Sequence, residues 1–341
     1  MIESGAYKVA DPEGLETPAM LVFEEMVDHN LKALCDLVGG GEHLMVHVKT
    51  HKSAAITRKQ LEAGIAGFKC ATLKELEMVL EAGAREAILA YPMAQKAKVE
   101  RFADLVARHP EAAVSALVSA ARHLEVLEQA AQERQQSLRA MVDLDVGMHR
   151  TGVALKGEGA VELYRALGVH PWLEPGGLHA YDGHEHFSDP QQREAAARRH
   201  VEEVQKLRAR LQAEGLPVPR VVGGGSFSFA YYARTPDMHG SPGTCMYWDL
   251  GYSRAMPDMP FRWAALVLTQ VVDAHAEQQT ITTDLGYKAV CGDVPLRKRA
   301  RLLQNMGAEL VFQNEEHGVF HWPGEPLQVG AYLLAVPGHV C

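Results

Sequence analysis

GFKCATLKELEMVLEAGAREAILAY, residues 67–91, decides how the chain is read. It opens on GFKCA, an apolar run short enough for a buried strand. LKELEMVLEA, residues 73–82, then places apolar side chains at helical spacing with charged residues between them. Gly83 stands where a helix C-cap is expected, and AILAY follows as a second apolar strand. Strand, amphipathic helix and strand in succession make one unit of a parallel sheet.

The alternation extends in both directions. Upstream, TPAMLVF (17–23) reads as a short strand, 24–37 as a helix, Leu44–Val48 as a strand and 54–63 as a helix. Downstream it continues through AAVSALV, a helix over 120–135, RAMVDLDVG and GGLHAYDG. A long charged helix from about 190 to 214, RVVGGGSFSF and the apolar TCMYWDL complete the series. This many strand–helix units in about 230 residues fit a parallel (β/α)8 barrel better than a doubly wound sheet. After about residue 256 the period changes. RWAALVLTQVVDA, QQTITTDLGYKAV, AELVFQNEEHGVF and AYLLAVPG read as strands joined by turns. The expected fold class is therefore α/β: a TIM-like barrel over 17–255, with a second, mostly β domain over 256–341 that residues 1–16 join.

Composition narrows the function. With 341 residues and 47% hydrophobic content, the chain can bury a large core. A net charge of -9 disfavours nucleic acid and anionic membranes as partners, and the basic run Arg297–Lys298–Arg299 reads as a solvated helix face. Five widely spaced cysteines with no CxxC pair indicate a reduced, cytoplasmic protein. The N-terminus lacks the apolar stretch of a signal peptide, and no apolar run is long enough to span a bilayer.

Chemistry in such a barrel sits at the C-terminal ends of the strands. Four groups fall there. Lys49, in HVKTHKS (47–53), stands at a strand end where partial desolvation favours the neutral amine that forms Schiff bases; Lys52 points outward. Arg150, in DVGMHRTG, can hold a carboxylate or sit beside a ring nitrogen. His179, Tyr181, Asp182 and His184 follow GGL. GGGSFSF, from Gly223 through Ser226, offers consecutive amides to an anion. It matches neither a Walker motif nor GxGxxG, so a mononucleotide or cofactor phosphate suits it better than ATP. Separately, His339 and Cys341 form an H-x-C pair able to bind zinc or manganese, with His317 in NEEHG as another polar residue of that region.

The chain resembles the D-threonine aldolase and D-serine dehydratase family, pyridoxal-phosphate (PLP) enzymes of the alanine-racemase-like fold type. The resemblance covers nearly all of the chain. It is carried by TPAMLV (17–22), HVKTHKS, DVGMHRTGV (145–153), LHAYDGH (178–184) and GGGS (223–226). PGTCMYWD (242–249), DLGYKAV (284–290), EEHG (315–318) and PGHVC (337–341) complete it. It implies that Lys49 carries PLP, that Arg150 lies on the pyridine-nitrogen side, and that Tyr181 lines the ring pocket. Gly224, Gly225, Ser226, Gly243 and Thr244 would hold the phosphate. His339 and Cys341 would bind a divalent metal (Zn, Mn or Mg) beside the β-hydroxyl of a small D-amino acid, with His179 or His184 as catalytic base. A homodimer suits the fold type.

Two departures stand out. Met45-Val46 replaces an Arg-Pro pair usual in the family. The metal pair is H-x-C, as in the dehydratases, rather than the H-x-D of the aldolases, whereas LHAYDGH, GGGS and DLGYKAV look more like aldolase sequences. The resemblance thus implies retro-aldol cleavage to glycine and an aldehyde. D-serine or D-threo-3-hydroxyaspartate dehydration is the alternative, and amino-acid racemisation comes third.

Overall fold

The computed structural model describes residues 1–325 and 327–341 and divides into two compact units. One comprises residues 34–243, the other residues 1–33 and 244–341.

The first unit is a parallel barrel. Its strands are β1 (Met45–His47), β2 (Gly67–Cys70), β3 (Glu86–Pro92), β4 (Ala113–Val118), β5 (Leu138–Asp145), β6 (Leu173–Ala180), β7 (Val221–Gly223) and β8 (Met238–Gly240). Each pairs with the next in parallel, and Leu44 meets Gly240 in a parallel bridge that closes the ring. Helices join the strands, as in Leu73–Glu81, where the Thr72 hydroxyl accepts the Glu75 N–H and buried Leu73, Leu76, Val79 and Leu80 make one apolar face. β8 differs from expectation. The eighth strand is not TCMYWDL but the three-residue Met238–Gly240, too short and too polar to show a period. TCMYWDL instead forms a turn of 3-10 helix, Thr244–Met246, leading to the helix Leu250–Ala255.

Barrel interiors fill in layers from alternate residues along each strand. Met45, Ile88, Leu117, Met141 and Val222, one from each of five strands, form an apolar layer. Met45 therefore packs in the barrel where the family has arginine. A cation is supplied nearby by Arg220, which bonds Glu86 at 2.6 Å and lies 3.6 Å from the Met45 sulfur. Two residues further along β1 comes His47, opposite Lys69 in register; His179 likewise lies opposite Asp143. The same alternation thus stacks a polar layer above the apolar one.

The second unit is mostly antiparallel. Its strands are β9 (Ala265–His275), β10 (Thr280–Thr283), β11 (Ala300–Leu302), β12 (Glu309–Gln313), β13 (Gly318–His321) and β14 (Tyr332–Pro337), in the order β11-β14-β9-β10-β13-β12. Ala19–Val22, expected with the barrel, pairs instead with Ala265–Leu268 of β9. The hairpin of Ile2–Ser4 and Tyr7–Val9 pairs with itself, and the Tyr7 hydroxyl donates to the Trp263 carbonyl.

Gly177 tests the barrel directly. Its φ is +119°, and a Cβ there would lie 1.9 Å from the Arg220 carbonyl oxygen. Gly177→Ala is expected to cost about 3 kcal/mol or more, because steric overlap adds to backbone strain. Urea denaturation measures it.

Candidate active site

The C-terminal mouth of the barrel brings four loops together. Lys49 lies in the turn just past β1, half-buried, with its N–H donating to His47 Nδ1 at 3.3 Å. Lys52 is exposed in a left-handed conformation. The His47 N–H donates to the Pro242 carbonyl, and a Cβ on Gly243 would lie 3.4 Å from His47 Cβ, so HVKTH and SPG run side by side. Thr244 begins the other unit, buried in the 3-10 turn.

The lysine of the apolar strand GFKC is the residue that the sequence reading passes over. Lys69 is 2% exposed, with its ammonium 5.2 Å from the centre of the Tyr181 ring. Burial, then Asp143 in the opposite sense, and the charges of Lys49 and Arg150 bring its pKa down to about 7. Arg150 lies 5.0 Å from the same ring. Tyr181 thus carries two cations, a geometry of cation–π attraction. Burial, Lys69 and Lys49 also hold His47 well below the usual histidine value.

His179 is fixed by a buried carboxylate. Its Nδ1 lies 2.7 Å from Asp143 Oδ1, and Asp143 Oδ2 accepts from the Thr151 hydroxyl at 2.8 Å. Burial and the Lys69 charge lower the His179 pKa. A neutral ring with Nδ1–H donated to the ionised Asp143 leaves its lone pair on Nε2. That atom is buried with no hydrogen-bond partner among the described residues. His179, Asp143, Thr151, Arg150 and Tyr181 line one narrow cleft of about 10 Å³, so a ring stacking on Tyr181 must displace its present neighbours. His184 lies elsewhere on the same loop, against Glu185 and His200.

The glycine turn is built differently from expectation. The Gly224 N–H donates to the Ala180 carbonyl, and the Gly225 N–H to Asp182 and the Ser228 hydroxyl. Those amides are spent on the turn itself. Gly225 matters for space, since a Cβ there would lie 3.0 Å from the Tyr181 ring. Ser226 is buried, and the buried Ser241 hydroxyl has no hydrogen-bond partner among the described residues.

In the other unit, His339 Nδ1 lies 3.2 Å from Asp249 Oδ2, which also accepts the Val340 N–H. Asp249 is fully buried and caps the helix Leu250–Ala255 through the Tyr252 N–H. Bonds to Asp249 and Cys341 push the His339 pKa up to about 10. A carboxylate behind Nδ1 orients the ring. The Cys341 sulfur is 3.9 Å from the Thr244 hydroxyl, and His339 and Cys341 both line a cavity of about 330 Å³ with Tyr247 and Lys288. His317 is exposed.

A parallel barrel bearing an amine, an aromatic ring face, a buried imidazole and a glycine turn at its mouth has the layout of a cofactor-dependent enzyme. The family described as alanine racemase, N-terminal domain, matches residues 24–250, and a serine dehydratase domain family matches residues 264–341. The chain belongs to this alanine-racemase-like family, which implies PLP as cofactor. Among its relatives is the 3-hydroxy-D-aspartate aldolase of Paracoccus denitrificans (strain Pd 1222), 27% identical over 96% of this chain and 86% of that protein. Another is the D-threo-3-hydroxyaspartate dehydratase of Delftia sp. (strain HT23), 25% identical over 96% and 91%. The crystal structure of D-threonine aldolase from Filomicrobium marinum matches with a TM-score of 0.85 at 26% identity, over 96% of this chain and 88% of that one. A D-threo-3-hydroxyaspartate dehydratase carrying a cysteine-to-alanine change has been solved in the metal-free form (TM-score 0.83, 22% identity, 96% and 92% coverage). No helix among the described residues is long and apolar enough to cross a membrane.

Lys69 makes a testable demand on stability. Its folded value of about 7 lies below the ordinary 10.5 of the amine, so the unfolded chain holds more protons between those values. Stability contributed at this site therefore rises with pH through that window. Lys69→Met should be more stable than the wild type by about 1–4 kcal/mol at pH 7. The gap should narrow towards pH 10.5, as followed by urea denaturation.

Proposed function

We propose that the protein is a PLP- and divalent-metal-dependent lyase of D-β-hydroxy-α-amino acids, of the D-threonine aldolase type. It cleaves the Cα–Cβ bond to give glycine and an aldehyde. The relatives support the class. The observation that carries the reading is the buried His179, its Nδ1 fixed by Asp143 and its Nε2 unpartnered, in the same barrel mouth as Lys49.

Lys49 would hold the cofactor covalently, and Tyr181 would stack on its ring with Arg150 at the edge. Ser226, supported by the Gly224–Gly225 turn and by the Gly243–Thr244 segment, would hold the phosphate. His339 and Cys341 would hold the metal, with Asp249 orienting the imidazole. When bound, PLP supplies an electron sink for the broken bond and the metal a Lewis acid for the β-hydroxyl. His179 Nε2 accepts the hydroxyl proton, and Asp143 stabilises the imidazolium that forms. Five unpaired cysteines support a cytoplasmic setting, and the resemblance favours a homodimer.

One feature favours dehydration as the second reading. The last ligand is cysteine, and a dehydratase relative has been solved metal-free with a cysteine replaced by alanine. A thiolate also favours zinc over manganese or magnesium. In that reading the Lys49 amine takes the Cα proton, and the products are a keto acid and ammonia.

Incubating PLP- and metal-loaded protein with D-threonine and D-serine separates the two. Glycine plus acetaldehyde is expected; keto acid plus ammonia would install the second reading. Lys49→Ala should abolish both turnover and the visible absorbance of lysine-bound cofactor. His339→Ala should lower the metal content of the purified protein.

A further inference from the structure

One cluster of side chains has no part in the chemistry above. The loop after β6 carries His184 and Glu185, and the helix Pro190–Ala213 presents His200 to them. His200 Nε2 lies 3.0 Å from Glu185 Oε1, and His184 Nε2 lies 3.7 Å from the same oxygen. The two imidazoles meet edge to face, with ring centres 5.6 Å apart. One ligating atom from each of the three residues falls within 4.8 Å of the others. Their side chains are only 31%, 16% and 14% exposed, in the order His184, Glu185, His200.

Two imidazoles and a carboxylate are the donor set of an open zinc site, with a further position for water. Tetrahedral zinc with ligands at about 2.0–2.1 Å holds those atoms roughly 3.3 Å apart. The 3.0 and 3.7 Å separations bracket that distance, and all three atoms lie within 4.8 Å of one another. The plainer role is a hydrogen bond between His200 and Glu185, with the Arg199 guanidinium 3.8 Å from the same carboxylate. That role leaves His184 unexplained. Its Nε2 stands near the carboxylate oxygen but beyond hydrogen-bonding distance. Space is kept beside it as well, since a Cβ on Gly147 would lie 2.9 Å from His184 Nε2. Arg199 is 63% exposed and can turn into solvent when a cation takes its place.

We propose that His184, Glu185 and His200 form a binding site for a borderline divalent transition-metal ion such as zinc, built from a different set of residues from the His339–Cys341 pair. Imidazole donors select against magnesium and calcium. A bound ion would tie the loop that begins at Tyr181 and Asp182 to the helix Pro190–Ala213, fixing the strand end that presents His179 and Tyr181. The proposal stands whether or not the chain is a PLP lyase.

Zinc content is measured on full-length protein, stripped with chelator, reloaded with zinc and desalted. The protein is compared with His339→Ala, His200→Ala, Glu185→Gln and the His339→Ala/His200→Ala double variant, with circular dichroism checking the fold of each. Glu185→Gln keeps the side chain's volume and a hydrogen bond to His200 but removes its charge. Two equivalents are expected in the wild type, one in each single variant and none in the double. Zinc titration should show the site weakened at least 100-fold in Glu185→Gln, on the order of the larger losses seen on disturbing a metal's supporting residues. One equivalent that survives His339→Ala and vanishes in His200→Ala also upholds this site, and removes the His339–Cys341 assignment instead. Zinc content unchanged by both His200→Ala and Glu185→Gln overturns the proposal, as does a wild type that binds none.

Discussion

An ammonium without water fixes the character of the barrel mouth. Lys69 is sealed inside a parallel barrel with its amine over the face of Tyr181, and Asp143 is the main charge that favours its protonation. Desolvation of such a group costs several kcal/mol unless charge or hydrogen bonding offsets it. The surrounding residues show the consequences. Asp143 is drawn to the ionised form, although its own burial acts the other way. His47 and His179 are held neutral by burial and by the same ammonium. An imidazole kept neutral beside a fixed carboxylate is one ready to accept a proton, so the buried lysine helps to set the state of the proposed base.

The geometry behind this is the period of two along each strand. Met45, Met141 and Ile88 fill the apolar layer, and His47 and Asp143 lie two residues onward on the same face. Parallel pairing then brings Lys69 beside His47 and His179 beside Asp143. One register thus decides both the packing beneath and the charge above. Met45 belongs to the lower layer, and Arg220, 3.6 Å from its sulfur, forms a polar pair with Glu86.

Much of this was legible in the sequence, and the failures have physical causes. GFKCATLKELEMVLEAGAREAILAY announced a strand–helix–strand unit because each element carries its own period. Met238–Gly240 carries none, since three residues with a terminal glycine show no alternation. Ala19–Val22 was readable as a strand but not as a partner of Ala265–Leu268, because antiparallel pairing leaves no local mark. At the site, Lys49, Arg150 and Tyr181 are legible as candidates because they follow strands, and His179 because it lies near the end of one. Lys69 was in plain view, but its importance depends on lying opposite His47. Asp249 escaped for a similar reason, as an ordinary helix cap whose second oxygen reaches His339. The glycine run is legible as a turn, but not that its amides close on Ala180 and Asp182.

Two amines stand at this mouth, and the half-buried Lys49, rather than the buried Lys69, is proposed to carry the cofactor. Borohydride reduction of the PLP-loaded protein, followed by proteolysis and mass spectrometry of the labelled peptide, tests that assignment most directly. The phosphopyridoxyl group is expected on Lys49 within HVKTHKS. A label on Lys69, or protein that takes up no label, would contradict it.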